Sequence, residues 1–447
     1  MSSRQVHGAR RNLSRRELML GLCCDVARRL PGGVLRMATF RCDVTPAPGE
    51  PLIWVTPLRS VLDPLWAKGL LLEDGRRRFV LCAMDWCALG GAAYRALKEA
   101  LATGAGTLPD RVLLHTVHQH AAPYVEGDAC RLLRELPDPP LMFSESGLRE
   151  VGRRLSEAVR QAARQLQPVE EVGTAEVRVE RVASSRRIRD QGKLVVRYST
   201  GAKDPYQAAL PEGRIDPWLR TLSLASRGRP LARLHFYATH PQTFCCDGRA
   251  SADFVGEARE RVEGEEGIFQ IYFTGCAGDV TVGKYNDGSE PARKGLADRL
   301  AAAMRAAAAA THWQPLGVLH WRTLPVRLPA RRPEKPIDPG ASGEARYRMA
   351  CAQAYARRRE PLYVTAVGLG PAHILHLPGE PLLEFQEHAA RLAKGRLVAV
   401  AGYGDIAPGY ICPDRVMLEG GYEPSASHVA PGAEAILKRA IRRALAV

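Results

Sequence analysis

The chain of 447 residues is poor in lysine and in aromatic residues, and it has no long apolar run. Its longest apolar stretch, residues 79–94, is interrupted by Asp85 and two glycines, whereas a membrane span needs about 20 apolar residues. No transmembrane segment is therefore expected. A phosphate-binding loop is also excluded, because Lys284 is followed by Tyr285 and not by Ser or Thr.

The overall composition is that of a globular protein, with 46% hydrophobic and 25% charged residues. The net charge is +15, but the arginines are scattered along the chain and no nucleic-acid-binding signature accompanies them. We therefore predict no nucleic acid partner. The 11 cysteines are odd in number and contain no CxxC pair, which favours free thiols and a cytoplasmic location.

The first residues differ from the rest of the chain. We interpret residues 1–36 as a poorly ordered extension or a mispredicted start, with Met37 as the alternative first residue. Arg15 and Arg16 resemble a twin-arginine export signal, but the apolar segment that follows carries charges. Export through this N-terminus is the alternative to the cytoplasm. Residues 37–447 are predicted to form one large catalytic α/β domain.

Strand and helix signals alternate along this domain. Several strands come in hairpin-like pairs, so the fold class predicted is α/β with mixed β-sheets flanked by helices. Three segments without periodicity are expected to be loops: residues 124–143, 199–217 and 329–342. The main predicted strands cover residues 78–84, 111–116, 174–182, 219–225, 231–238, 269–273, 318–328, 363–368, 373–377 and 397–401.

A histidine pair directly follows the predicted strand 111–116. His118 and His120 are two residues apart, so on extended backbone their side chains point the same way. Two imidazoles at the end of a strand form half of a metal site. The alternative is that these histidines, with His115, are incidental and buried.

Further polar residues follow other predicted strands. His240 follows the strand 231–238, Glu380 stands between a strand and a helix, and Tyr422 lies in a glycine-rich turn. Each alone also fits a loop or packing role. Together they place metal-ligating groups at the ends of successive strands, where α/β proteins put their sites, and this favours a metal hydrolase.

The order of motifs resembles the catalytic region of the neutral, non-lysosomal ceramidases and their shorter bacterial relatives. The resemblance covers roughly residues 38–445 and depends on short motifs in a fixed order. These are FRCDVTP at 40–46, DPLWAK at 63–68, Asp85, HQHAAP at 118–123, THP at 239–241, SADF at 251–254, GCAGDVT at 275–281, LPGE at 377–380 and GGYE at 420–423.

The resemblance implies a zinc site and assigns roles to individual residues. His120 corresponds to a histidine that transfers protons beside the metal, Arg186 to an active-site arginine, and Thr281 to a serine close to the substrate. The implied zinc ligands are His118, His240, Glu380 and Tyr422.

The chain also departs from the family pattern. Ala121, Ala122 and Thr281 replace family residues, and Val429 stands where the family has an oxyanion-binding tyrosine. The family's C-terminal β-sandwich has no counterpart here. We therefore expect a zinc-dependent amidohydrolase, ceramidase-like in fold, that cleaves an N-acyl bond in a substrate smaller and more polar than long-chain ceramide. The polar segments at 331–335 and 203–205 are expected to line the mouth of its site.

Two other functions fit the same residues. One is a zinc esterase or lactonase on the same scaffold, acting on an ester in place of an N-acyl substrate. The other is a non-catalytic metal- or ligand-binding relative. A homo-oligomer is compatible with the sequence, which does not specify the oligomeric state.

Overall fold

Three mixed β-sheets form the scaffold in the computed structural model, which describes residues 34–333 and 336–446. Each sheet combines antiparallel pairs with one parallel pair at its edge. In spatial order, the first contains Val112–Thr116, Arg78–Met84, Trp66–Glu73, Arg36–Asp43 and Gln167–Pro168. The second contains Phe269–Thr274, Arg229–Tyr237, Trp218–Ser226, Glu171–Arg178 and His312–Pro315, and the third Leu319–Val326, Leu362–Leu369, Ala372–His376 and Leu397–Ala401.

Short strand pairs and helices complete the fold. The paired short strands are Ala88–Gly90 with Tyr124–Glu126, Ser60–Val61 with Arg249–Ala250, Ser184–Ser185 with Val280–Thr281, Arg187–Asp190 with Lys193–Val196, and Glu380–Pro381 with Tyr410–Ile411. The α-helices are Gly91–Ala105, Gly127–Arg134, Glu145–Ala162, Pro205–Ala209, Asp253–Glu266, Glu290–Ala309, Gly343–Arg357, Leu383–Arg391, Asp414–Glu419, Tyr422–Ser425 and Ala433–Leu445, and the 3-10 turns are Ile53–Val55, Pro109–Arg111 and Gly201–Lys203.

Serine caps begin three of the longer helices. The hydroxyls of Ser144, Ser289 and Ser342 each accept a hydrogen bond from the backbone N–H three residues later. Such caps satisfy donors that would otherwise be unpaired, and each contributes about 1 kcal/mol.

The three sheets meet near the carboxyl ends of their parallel strands. Thr116 N–H donates to the carbonyl of Tyr403 at 3.0 Å, and Gly402 N–H donates to the carbonyl of Thr274 at 2.9 Å. These two bonds connect the ends of the strands Val112–Thr116 and Phe269–Thr274, in the first and second sheets, to the segment that follows Leu397–Ala401 in the third sheet. The loops carrying His118, His240 and Glu380 start from the same region, as expected for an α/β site.

The mixed α/β fold class is confirmed, with differences in detail. The predicted loop 124–143 contains the strand Tyr124–Glu126 and the helix Gly127–Arg134, where the Glu126 carboxylate caps the helix. The apolar residues of the segment 124–143 are too few to show a helical or strand period. The predicted strand 174–182 is observed as Glu171–Arg178, where its backbone pairs with Trp218–Ser226.

Several other expectations concern the chain as a whole. Residues 1–33, including Arg15 and Arg16, lie outside the described residues, so the predictions for this segment stay predictions. None of the helices in the described ranges combines the length and apolar character needed to cross a bilayer. Cys245 and Cys246 are joined as a disulfide, against the expectation that nearly all cysteines are free, whereas the free cysteines within the described residues are all buried.

Candidate metal centre

His118 stands two residues beyond the end of the strand Val112–Thr116. Its backbone has φ +74°, so the chain turns here and is not extended as the sequence suggested. The ring nitrogen Nδ1 donates to the carbonyl of Cys87 at 2.7 Å. This bond fixes the tautomer and leaves the lone pair of Nε2 directed into the site. The ring also stacks on Tyr403, with centroids 4.2 Å apart.

His240 is held in the same way after the strand Arg229–Tyr237. Its Nδ1 lies 2.7 Å from the carbonyl of Ala277 and 3.0 Å from that of Val280. Backbone carbonyls therefore orient this imidazole, and the Asp253 carboxylate does not. Asp253 instead accepts the backbone N–H of Thr243 at 2.9 Å and braces the loop after His240.

Glu380 brings the two histidines together. Its Oε2 lies 3.2 Å from Nε2 of His118 and 3.4 Å from Nε2 of His240. The three side chains are buried, and their ligand atoms lie within 4.8 Å of one another. The predicted ligands His118, His240 and Glu380 thus form one cluster.

The protonation of this cluster follows from burial and mutual contact. Burial disfavours the charged form of His118, but the adjacent Glu380 carboxylate outweighs it and raises the pKa of His118 to about 10. Burial likewise opposes the Glu380 carboxylate, yet the two imidazoles hold its pKa well below the usual range. Burial and Arg186 lower the pKa of His240 to about 4.

The chemistry of this donor set fits a divalent cation such as zinc. Both histidines offer Nε2 because Nδ1 is occupied by a carbonyl, and Glu380 Oε2 has no hydrogen-bond partner among the described residues. A buried carboxylate oxygen that faces two imidazole nitrogens is a donor arrangement that a divalent cation satisfies. Cys87, His118 and His120 form a second potential ligand group, but there Nδ1 of His118 already donates to a carbonyl.

His120 lies beside the cluster. Its Nε2 is 3.4 Å from Nε2 of His118, and Nδ1 lies 3.0 Å from the side-chain nitrogen of Gln242. Burial, His118 and His240 together lower its pKa well below the ordinary value. The imidazole is therefore neutral. His115, the third histidine of the motif, is buried between the carbonyl of Gly402 and the N–H of Thr274 and lies in the core.

Two tyrosines compete for the predicted ligand position of Tyr422. Tyr410 is buried, pairs with Glu380 in a parallel bridge, and accepts a hydrogen bond from Arg186 Nη1 at 3.0 Å. Arg186 Nη2 in turn lies 3.5 Å from Nε2 of His240. Tyr422 is 37% exposed, and its ring lies 5.7 Å from that of Tyr410. These contacts connect Tyr410 to the cluster through Glu380 and Arg186.

Thr281 and Val429 lie deeper than the resemblance suggested. Thr281 is fully buried in the short strand that pairs with Ser184–Ser185, and its hydroxyl has no hydrogen-bond partner within the described residues. Val429 is 1% exposed and forms a bridge with Ala330. Cys276 is a packed thiol, as expected from sequence, because it is buried and burial raises its pKa well above the ordinary value.

A cavity of about 540 Å³ opens onto the cluster. Its walls combine buried residues of the candidate centre with more exposed aromatic and basic side chains. The lining includes Ile53, Trp54, His118, His120, Tyr124, Arg331, Arg332, Pro333, Arg348, Met349, Cys351, Ala352, Glu380, Gly409, Tyr410, Tyr422, Ser425, Ala426, Ser427 and His428. Of the segment 331–335 predicted to line the mouth, residues 331–333 line the cavity and residues 334 and 335 lie outside the described residues, whereas the segment 203–205 is not part of the described lining.

Comparison with solved structures shows the same fold in ceramidases. The chain is similar to a structure described as a ceramidase complexed with C2, with a TM-score of 0.70 and 16% identity, over 92% of this chain and 74% of that one. The neutral ceramidase from Pseudomonas aeruginosa gives a TM-score of 0.70 and 16% identity, over 92% and 73% of the two chains. No protein-family profile and no curated sequence matches the chain.

Proposed function

We propose that this protein is a zinc-dependent hydrolase that cleaves an amide (N-acyl) bond. The observation that carries the proposal is the buried group of His118, His240 and Glu380 at a cavity, with Glu380 Oε2 lacking a hydrogen-bond partner among the described side chains. The fold shared with ceramidases supports a hydrolase on the same scaffold.

In this proposal His118, His240 and Glu380 hold the metal with a tyrosine. The resemblance assigns Tyr422 to that position, and the contacts of Tyr410 with Glu380 and Arg186 favour Tyr410. A bound zinc ion would polarise the substrate carbonyl and lower the pKa of water toward 7.

The remaining side chains handle protons and charge. His120, neutral and open to the cavity, takes the proton of the attacking water and returns it to the departing amine, so that amide and water give acid and amine. Arg186 hydrogen-bonds Tyr410 and keeps positive charge beside the cluster. Tyr422 has its side chain on the cavity wall, where a hydroxyl can donate to the carbonyl oxygen as negative charge develops. Thr281 stays a prediction from the resemblance.

The substrate in this proposal is smaller and more polar than long-chain ceramide. The cavity volume suits a small ligand, and basic side chains stand on its wall. Turnover of matched ester and amide compounds separates an amidohydrolase from the esterase or lactonase alternative. Stoichiometric zinc without turnover of either would indicate the non-catalytic alternative.

Metal analysis tests the centre directly. Protein purified without added metal should hold about one zinc per chain. The variants His118→Ala and His240→Ala should each lose most of the zinc, because each keeps three of the four proposed ligands and binds the ion more weakly. His312→Ala, at an exposed histidine in an edge strand, is the matched control and should keep its zinc. Full zinc in both ligand variants contradicts the assignment.

The location proposed is the cytoplasm. Its support is the set of free, buried cysteines within the described part of the chain, whereas Cys245 and Cys246 form a disulfide. Thiol titration of denatured protein from the native host, with and without reductant, should detect at most one disulfide. Two or more disulfides would favour export.

A further inference from the structure

The cavity carries an excess of positive charge that the proposed chemistry does not use. Arg331, Arg332 and Arg348 all line it. The only carboxylate among the described lining residues is Glu380, which already faces His118 and His240. The walls therefore offer three guanidinium groups to whatever occupies the cavity.

Arg348 is held in a fixed orientation. Its guanidinium lies over the ring of Trp54 at 3.9 Å, and Trp54 in turn stacks on Tyr124 at 4.9 Å. A guanidinium that stacks through its face keeps its in-plane N–H groups available for an oxyanion. Its Nε and Nη2 each lie 2.9 Å from Oε1 of Glu344, on the same helix. The pair is partly exposed, so it neutralises Arg348 only in part.

Arg331 and Arg332 are carried by a backbone segment that is itself anchored. The N–H of Arg331 donates to the carbonyl of His428 at 2.7 Å, and its Nη1 donates to the carbonyl of Pro424 at 3.0 Å. Within the described ranges, no carboxylate lies at salt-bridge distance from Arg331 or Arg332. Among the described residues, these two guanidinium groups on the cavity wall thus have no anionic partner.

We propose that Arg331, Arg332 and Arg348 bind an oxyanion on the substrate, so that the preferred N-acyl compound carries a carboxylate or sulfonate on its amine side. The acyl bond then lies at the histidine cluster while the anion contacts the arginines at the wall. This inference rests on the proposed function for its reaction, but the binding of the anion is independent of catalysis.

Three compounds with one acyl chain test the proposal: N-hexanoylglycine, N-hexanoyltaurine and the neutral N-hexanoylethanolamine. Because charge-assisted hydrogen bonds are strong, at least one anionic compound should have a kcat/KM about tenfold or more above that of the neutral compound. The first two compounds distinguish carboxylate from sulfonate. Binding of all three to metal-free protein is measured in parallel by calorimetry.

Variants connect the preference to these side chains. Arg331→Gln with Arg332→Gln, and separately Arg348→Met, should each reduce the ratio of anionic to neutral kcat/KM by at least fivefold. Arg149→Gln with Arg164→Gln removes the same charge from an exposed position of the helix Glu145–Ala162 and from the turn that follows it, and should leave the ratio unchanged. An equal loss in this control would assign the preference to net charge and overturn the proposal.

The two proposals fail in different ways. Hydrolysis of all three compounds at similar rates overturns the oxyanion site and leaves the hydrolase intact. If zinc-loaded protein hydrolyses none of them, the hydrolase fails, and calorimetry then decides the oxyanion site. Tenfold tighter binding of an anionic compound, lost in the arginine variants, supports the site, and equal binding of all three overturns it.

Discussion

His118 and His120 have different chemistry although they are two residues apart. The Nδ1 of His118 is fixed by a backbone carbonyl, so only Nε2 is available to the cluster. His120 instead has a side-chain partner, Gln242, and reaches the cavity. A ligand needs a rigid lone pair, whereas a proton carrier needs access to substrate.

The substitution His120→Ala tests this division. Zinc content should stay near that of the unmodified protein, and kcat should fall by about 10²–10⁴-fold, the usual contribution of a general acid–base group. Elemental analysis and steady-state kinetics on one preparation give both values. Unchanged turnover would remove His120 from the mechanism, and loss of zinc would make it a ligand.

The two tyrosines can be separated by removing one hydroxyl at a time. Tyr410→Phe should weaken zinc binding, because Tyr410 lies next to Glu380 and contacts Arg186. Tyr422→Phe should keep zinc and lower kcat/KM, because the more exposed Tyr422 faces the cavity. Competition with a chelator measures the affinity of each variant. The reverse result would restore Tyr422 as the ligand.

At the scale of elements, the loop that carries His118 and His120 is anchored to the core through Gln119. Its side-chain nitrogen donates to Asp85 Oδ1 at 2.9 Å, and Asp85 also accepts two hydrogen bonds from Arg259, each at 2.8 Å. Asp85 and Arg259 are both fully buried. The helix Asp253–Glu266, which carries Arg259, is thereby connected to the loop between the two histidines.

Asp85→Asn should therefore affect both stability and metal binding. Removing one charge of a buried pair costs about 3–5 kcal/mol of unfolding free energy, although Glu260 beside Arg259 at 2.9 Å offsets part of this. Urea denaturation and zinc affinity measure the two effects. The control Asp298→Asn removes a partly exposed carboxylate that pairs with Arg261, a residue of the same helix as Arg259. It should cost at most about 1 kcal/mol of unfolding free energy. Equal losses in both variants would contradict a specific anchor.

The longer elements could be predicted from sequence because their pattern is local. The strand Arg78–Met84 was predicted with its observed ends, and the hairpin of Trp218–Ser226 and Arg229–Tyr237 was expected from its turn. Two-residue strands such as Glu380–Pro381 show no period, so no pattern could indicate that Glu380 pairs with Tyr410.

The candidate site was predictable to the same extent. His118, His240 and Glu380 each follow a strand, and strand ends that meet bring such residues together. The tyrosine and Thr281 depend on how irregular segments fold back over the site, which residue order does not specify. The disulfide between Cys245 and Cys246 could not be inferred from a cysteine count.

At the scale of the whole molecule, the site lies where three sheets converge, and additional segments close the cavity around it. The 3-10 turn Ile53–Val55, the helix Gly343–Arg357 and the residues 331–333 all contribute to its walls. Because these segments come from distant parts of the chain, the shape and charge of the cavity follow from the complete fold.

The size and charge of this cavity determine which acyl chains the protein should accept. A groove for two lipid chains would gain about 0.8 kcal/mol for each buried CH₂, so catalysis would rise steeply with chain length. The cavity of about 540 Å³ has three arginines on its walls beside Trp54 and Met349, and these charged groups favour a polar substrate. We expect kcat/KM to change by less than tenfold from short to long acyl chains in an N-acyl series with one amine. A larger rise, worth about 1.4 kcal/mol of transition-state binding, would indicate a lipid substrate and contradict the polar one.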